Sequence, residues 1–146
     1  MLSVIVTPGD SERLAGLLAA LTPAAVEGFV REVRIVSPAQ SEVLNLLCEE
    51  TGAEPATDLK QAAAAARSDW LLIAPPDLRP RDGWVERLGD HLRSGVREAV
   101  LQGEGRGLFR RGPYGVVIAR SAVTRLAQPD LRRLRRTMGR DAARIG

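Results

Sequence analysis

Short apolar runs alternate with amphipathic stretches over the first hundred residues of the chain. Residues 2–7 and 70–74 are mostly apolar, as in buried strands of a sheet, and residues 32–37 (EVRIVS) are expected to form a further strand. Between the first two runs, leucines recur at helical spacing from Leu14 to Leu21. Alternation of strand and helix predicts βαβ units with right-handed crossovers. We therefore expect a single α/β domain over residues 1–146, with a mostly parallel sheet flanked by helices.

Capping residues and prolines predict where the helices begin and end. Asp10 or Ser11 is placed to cap the first helix, and Pro23 is expected to end it. The tetrapeptide SPAQ at 37–40 is typical of a helix start, with Ser at the cap, Pro at the first position and Gln closing a capping box. A short strand at 53–57 and an alanine-rich helix capped by Asp58 are expected to follow.

Two strands, at 98–102 and 114–120, are predicted on either side of a glycine-rich loop that contains GEGRG at 103–107. The motif lacks the Lys-Ser/Thr pair of a nucleotide-binding P-loop, and no helix opens after it. A hairpin loop that carries Arg106, Arg110 and Arg111 is therefore favoured over a phosphate-binding loop, although these arginines can still contact an anion.

The segment 126–146 is predicted to contain a basic amphipathic helix that begins at Pro129. Leu131, Leu134, Met138, Ala142 and Ile145 are expected to line one face. The other faces carry Arg132, Arg133, Arg135, Arg136, Arg140 and Arg144. Three interpretations stay open: peripheral contact with an anionic membrane, contact with a protein or polyanion, and the solvated face of a packed helix. No recognition-helix motif accompanies the arginines, so nucleic acid is not an expected partner.

Composition excludes several classes of site. The chain has one cysteine, Cys48, and one histidine, His91, so an intrachain disulfide or a cysteine- or histidine-rich metal site is not expected. Five aromatic residues are too few for the base-stacking platforms of single-stranded nucleic acid binders. Neither a signal peptide nor an apolar run of about 20 residues is found. We expect a cytoplasmic protein, with peripheral attachment to a membrane or a membrane-bound assembly left open.

Charge is distributed unevenly along the chain. Residues 1–104 carry 16 acidic and 10 basic side chains, whereas residues 105–146 carry 2 acidic and 11 basic side chains. A net charge of +9 concentrated in the last third indicates an acidic partner or surface there.

The run WLLIAPPDLRP at 70–80 raises the question of a ligand site. Pro75 and Pro76 cannot donate ladder hydrogen bonds, so the strand must stop and Asp77 follows its carboxyl end. Ligands bind at this end of the strands in open α/β sheets. Asp77 is therefore a candidate ligand-binding residue, with a capping or surface role as the alternative.

The order of elements and four stretches resemble family 2 glycosyltransferases of the GT-A fold, over about residues 1–125. The stretches are LSVIVT, VREVRIVS, AAAAARSDWLLIAPPDLRPRDGWVERL and GVVIARSAV, and RSDWLL followed by GW is the most specific part. The resemblance implies a truncated GT-A domain and a nucleotide-sugar site. The residues it places at that site are Thr7, Pro8, Asp10, Ser37, Lys60 and Asp77. It also implies Mn²⁺ or Mg²⁺ bound with the nucleotide diphosphate, with Asp77 as a metal ligand.

The chain departs from the family where the chemistry takes place. Pro75-Pro76-Asp77 stands in place of the D-x-D metal motif, Ser37 stands in place of a nucleotide-binding aspartate, and no acidic base is evident after Glu104. We therefore expect a protein that has lost sugar transfer, has no catalytic residues and needs no cofactor. It is expected to act as an accessory subunit that docks on an acidic partner or larger assembly, through Arg132, Arg133, Arg135, Arg136 and Arg140.

An active, metal-independent transferase with a nucleotide-diphospho-sugar donor is the alternative. In that case arginines such as Arg79, Arg106 or Arg110 would neutralise the leaving diphosphate, for which bidentate guanidinium groups are suited.

Overall fold

The computed structural model describes residues 1–39, 41–95, 98–105 and 112–146. Its strands in the described residues are β1 (Leu2–Val6), β2 (Val30–Val36), β3 (Glu54–Ala56), β4 (Trp70–Ala74), β5 (Ala99–Gln102), β6 (Tyr114–Ala119) and β7 (Ala143–Ile145). Its helices are α1 (Ser11–Val26), α2 (Glu42–Thr51), α3 (Leu59–Ala65), α4 (Trp84–Arg93), α5 (Arg120–Thr124) and α6 (Leu131–Thr137).

All seven strands form one sheet in the order β3-β2-β1-β4-β6-β5-β7. β3, β2, β1 and β4 are parallel, β6 is antiparallel to both β4 and β5, and β7 is parallel to β5. This architecture confirms the predicted α/β fold with a mostly parallel sheet. The antiparallel pairing of β5 with β6 also agrees with the predicted hairpin, whose loop at 106–111 lies outside the described residues.

Helices cover both faces of the sheet because alternate strand residues point in opposite directions. Val4 and Val6 of β1 belong to a core with α1, α2 and α4, whereas Ile5 belongs to a second core with α3, α5 and α6. All five residues of β1 are buried. A strand that is buried at every position, and apolar at all but Ser3, therefore joins the two cores.

Two predicted helix ends in the first half of the chain are wrong. α1 continues through Pro23 to Val26, because Leu21 and Ala24 remain buried in the core and outweigh the backbone bond that proline removes. α2 begins at Glu42, capped by the Ser41 hydroxyl, which accepts from the Leu44 N–H at 3.4 Å. The Ser37 hydroxyl donates instead to the Ala39 carbonyl at 2.6 Å, and Gln40 lies outside the described residues.

The single C-terminal helix predicted from Pro129 to Ile145 is also wrong. α6 spans seven residues and ends before Gly139, which adopts a left-handed conformation with φ +74°. The chain then forms β7 beside β5. Leu134 is fully buried against the second core, but Ala142 and Ile145 do not belong to a helical stripe.

Two charged residues of β2, Glu32 and Arg34, form a buried ion pair that is hydrogen-bonded to β1. Glu32 and Arg34 form a 3.1 Å salt bridge, with side chains 8% and 10% exposed. The Glu32 carboxylate also accepts from the Arg67 N–H at 2.5 Å and from the Ser3 hydroxyl at 2.8 Å. Burial raises the pKa of Glu32, but these two hydrogen bonds and the Arg34 charge outweigh it and bring that pKa below its usual range.

Glu32→Gln is expected to lower the free energy of unfolding at pH 7 by about 1–3 kcal/mol, because it removes the negative charge and replaces one of two buried acceptor oxygens by an NH2 donor, which cannot pair with Arg34. The folded-state pKa is depressed, so this stabilisation is present above the ordinary glutamate pKa of about 4.3 and disappears as pH falls through the lower folded value. Urea unfolding at pH 7 and at lower pH should show the difference between wild type and variant shrinking on acidification.

Glu54→Gln is the matched control for this experiment, because Glu54 also contacts Arg34 but is 48% exposed. Its effect should stay below about 1 kcal/mol. A Glu32→Gln effect that does not change with pH would contradict the assignment.

Candidate functional site

The carboxyl ends of β1, β2 and β4 meet at one edge of the sheet. The connection from β1 leads through α1 to β2, and β4 lies on the other side of β1. The order of strands therefore reverses between β1 and β4, which is where open α/β sheets bind ligands. Thr7 follows β1 and donates its N–H to the Ala74 carbonyl of β4 at 2.9 Å.

A cleft of about 290 Å³ opens at this edge between β1 and β2. It is lined by Pro8, Gly9, Ser11, Leu14, Ile35, Val36, Ser37, Pro38, Ser41, Leu44 and Pro76. α1 and α2 both begin at the cleft. Its polar side chains are serines, and no charged side chain of the described residues lines it. The cleft therefore offers hydroxyl groups and apolar walls to a ligand.

The chain leaves β4 through a tight turn. The Leu78 N–H donates to the Pro75 carbonyl at 3.1 Å, which places Pro76 and Asp77 at the two central positions. No non-glycine residue in the described ranges has a positive φ, so this is a type I turn rather than type II. Asp77 is half-buried and makes no hydrogen bond or ion pair with a residue that the structure describes.

Pro76 fills the space between the ends of β1 and β4. Its ring is buried against Gly9, where a methyl group would lie only 2.7 Å from Cγ of Pro76. The side chain that occupies the switch point is therefore an apolar ring with no atom able to bind a phosphate or a cation. Gly9 is needed here because of close packing, not because of a positive φ.

The two following side chains anchor this turn. Leu78 is fully buried, and methyl groups at Gly103 and Gly115 would lie 2.7 and 3.3 Å from its terminal carbons. Arg79 extends over Gly16 of α1 and donates to three backbone carbonyls, those of Pro76 at 3.0 Å, Leu78 at 2.7 Å and Arg13 at 2.8 Å. We call residues 75–79 the anchored turn.

The residues predicted to bind a nucleotide sugar are brought together only in part. Pro8 and Ser37 line the cleft, and Thr7 and Asp10 adjoin it. The Asp10 carboxylate accepts from the Glu12 N–H at 2.8 Å as the cap of α1. Lys60 lies elsewhere, on a separate groove between α3 and the connection from α5 to α6.

The end of β4 does not fit a cation held by paired carboxylates. Pro75 and Pro76 supply no side-chain oxygen, and Asp77 is the single carboxylate of the anchored turn. Within the described ranges, no group of three His, Cys, Asp or Glu side chains is placed to hold a metal ion. Mg²⁺ and Mn²⁺ prefer carboxylate and carbonyl oxygen ligands, and the side chains of the anchored turn provide one such group, the Asp77 carboxylate.

The glycine contacts could not be found from the sequence. Gly9, Gly16, Gly103 and Gly115 stand in four different segments, and nothing local distinguishes them from turn glycines. Their common role becomes visible only when the fold places each of them beneath a side chain of the anchored turn.

The predicted basic surface is present on α6 and beyond it. Arg132, Arg133, Arg136 and Arg140 are exposed, whereas Arg135 is half-buried and donates to the Gly139 carbonyl at 2.8 Å. Arg133 is paired with Asp130 at 3.4 Å. Among the helices of the described residues, none combines the length and apolar composition needed to cross a membrane.

Sheet order, switch point and flanking helices together define a GT-A-like fold. Among solved structures, glucosyl-3-phosphoglycerate synthase from Mycobacterium tuberculosis in complex with phosphoglyceric acid matches with a TM-score of 0.63 and 17% identity, over 86% of this chain and 59% of the synthase chain. Its complex with Mn²⁺, UDP and glucosyl-3-phosphoglycerate matches with a TM-score of 0.61 and 16% identity, over the same shares.

The bifunctional IspDF from Campylobacter jejuni also matches, with a TM-score of 0.57 and 14% identity, over 94% of this chain and 47% of that protein. No family model and no curated protein matches the sequence. The chain spans less than two thirds of the solved proteins that it resembles. At these identities the comparisons show the fold, and the resemblance predicted from the sequence is confirmed at that level.

Proposed function

We propose that this protein is a GT-A-like domain that no longer transfers sugar and acts as an accessory subunit that docks on an acidic partner. The inference that sugar transfer has been lost is supported mainly by the Pro76 ring, which packs on Gly9 at the switch point. The observation that carries docking is the exposed arginine surface of α6.

Transfer from a nucleotide-diphospho-sugar requires that the charge developing on the leaving diphosphate be neutralised, by a metal ion or by cationic side chains. The turn after β4 supplies one carboxylate for a metal ion, Asp77. Arg79, the described arginine of that turn, already donates to three backbone carbonyls. It would have to give up these hydrogen bonds before it could bind a phosphate.

A general base is equally hard to supply from the last third of the chain. Asp130 caps α6 by accepting from the Arg133 N–H at 2.8 Å, and Asp141 is exposed beyond that helix. Neither residue lines the cleft. Their positions support a structural role for Asp130 and a surface role for Asp141.

A metal-independent transferase is the second candidate, and the open cleft between β1 and β2 favours it. Arg106 and Arg110, which this mechanism would need in addition to Arg79, lie outside the described residues. The two candidates differ in how strongly they bind nucleotide diphosphates, because an active enzyme must hold its donor.

Titration calorimetry with UDP, GDP and ADP, with and without Mn²⁺, separates them. We expect dissociation constants in the millimolar range or weaker for each nucleotide, no enhancement by Mn²⁺, and no change in Asp77→Ala. A micromolar dissociation constant that is lost in Asp77→Ala would show a working donor site and contradict the proposal.

Docking by exposed charge predicts a steep dependence on ionic strength, since such charges are screened over about 8–10 Å near physiological salt. Pull-downs from the native host should capture acidic proteins at low salt and progressively fewer as salt rises. The triple variant Arg132/Arg136/Arg140→Ser should lose them. The matched control is Arg13/Arg81/Arg87→Ser, which removes the same charge from exposed positions elsewhere.

The control should keep the captured proteins, because it preserves the α6 surface while lowering the net charge equally. Identical losses in both triple variants would indicate a general charge effect and remove the docking proposal.

A further inference from the structure

A groove of about 500 Å³ lies on the side of the sheet opposite to α1 and α2. One wall consists of α3 and its cap, with Asp58, Leu59, Lys60, Gln61 and Ala64, and the other of Ala127, Gln128 and Pro129 between α5 and α6. We call it the α3 groove. It shares no lining residue with the cleft between β1 and β2. Lys60, predicted at the nucleotide site, belongs here instead.

The lining of the α3 groove combines apolar atoms with one cationic and one anionic side chain, Lys60 and Asp58. Leu59 is 7% exposed, and Ala64 on the same wall and Ala127 on the opposite wall are exposed. Asp58 is occupied as the cap of α3, accepting from the Gln61 N–H at 2.7 Å. The Lys60 ammonium is exposed and has no hydrogen-bond or ion-pair partner in the described part of the chain.

The positive surface of α6 continues directly from this groove. Pro129 ends the second wall, and Asp130 caps α6, which begins at Leu131. Arg133 reaches back to donate to the Gln128 carbonyl at 3.1 Å. Residues 120–146 contain eight arginines against two aspartates, and Asp130 is already paired with Arg133. A ligand that lies in the groove therefore contacts Lys60 on one wall and lies next to the net positive surface that begins at Arg133, beyond the other wall.

We propose that the α3 groove seats an extended acidic segment of a partner protein, with an aliphatic side chain against Ala64 and Pro129 and carboxylates toward Lys60 and the α6 arginines. The inference rests on the proposed docking function and identifies where and how the partner binds. Charge complementarity favours an acidic segment. The concave shape favours a peptide chain, which can insert a side chain into the groove, rather than a flat bilayer surface.

Selection of binding sequences from a displayed library of random 12-residue peptides provides the probe. The selected peptides should be enriched in Asp and Glu around a large aliphatic residue. Fluorescence anisotropy then measures the strongest peptide against Ala64→Glu, which narrows the groove and repels an acidic ligand. Ala65→Glu is the matched control, because it adds the same charge at the next exposed helical position outside the groove.

Ala64→Glu should weaken binding at least tenfold, Lys60→Gln should weaken it several-fold with a shallower salt dependence, and Ala65→Glu should change it less than threefold. Equal effects of Ala64→Glu and Ala65→Glu, or selected peptides without acidic residues, would overturn the inference. Binding that is lost in Arg132/Arg136/Arg140→Ser but unaffected by Ala64→Glu and Lys60→Gln would contradict binding in the α3 groove, while the proposed docking through α6 would stand. Sedimentation with phosphatidylserine vesicles that Ala64→Glu abolishes would assign the surface to a membrane instead.

Discussion

The packing of the anchored turn against four glycines determines what the carboxyl edge of this sheet can do. Pro76 lies on Gly9, Leu78 is enclosed by Gly103 and Gly115, and Arg79 crosses Gly16 to reach three carbonyls. Each contact connects the end of β4 to a different part of the fold: the β1–α1 loop, the β5–β6 pair and α1. The anchored turn is therefore packed at three points, and Asp77 is its one polar side chain without a partner among the described residues. This packing supports a structural role for the turn.

The carboxyl edge combines a GT-A-like fold with a turn whose side chains offer one carboxylate, that of Asp77. The switch point, the two helix starts and the serine-lined cleft persist, as in a GT-A-like domain. The side chains that line the cleft at that edge are uncharged, whereas exposed cations lie on the other face, at Lys60 and along α6. The docking that we propose would use this charged face, because electrostatic recognition acts at long range and gives specificity to association.

Patterns of apolar residues predicted those helices and strands whose formation depends mainly on their own sequence. The central strands and the α/β class follow from the apolar runs at β1 and β4, which are buried on both faces, and from the alternation of strand and helix; β2 carries charged side chains among its apolar ones. Helix ends were less predictable where tertiary packing competes: α1 passes through Pro23, and Gly139 divides the segment expected to be one helix. The site was least predictable, because Lys60 and the glycines under the anchored turn acquire their neighbours only from the fold.

A double-mutant cycle between Gly9 and Pro76 tests most directly whether the anchored turn fills the switch point. Urea unfolding should show that Gly9→Ala costs about 1–3 kcal/mol in the wild type, because it overpacks the contact with the Pro76 ring. The same change should cost much less in a Pro76→Ala background. Gly89→Ala, inside α4 with its nearest neighbour at 3.6 Å, should be neutral or stabilising. Equal costs of Gly9→Ala in both backgrounds would contradict the account.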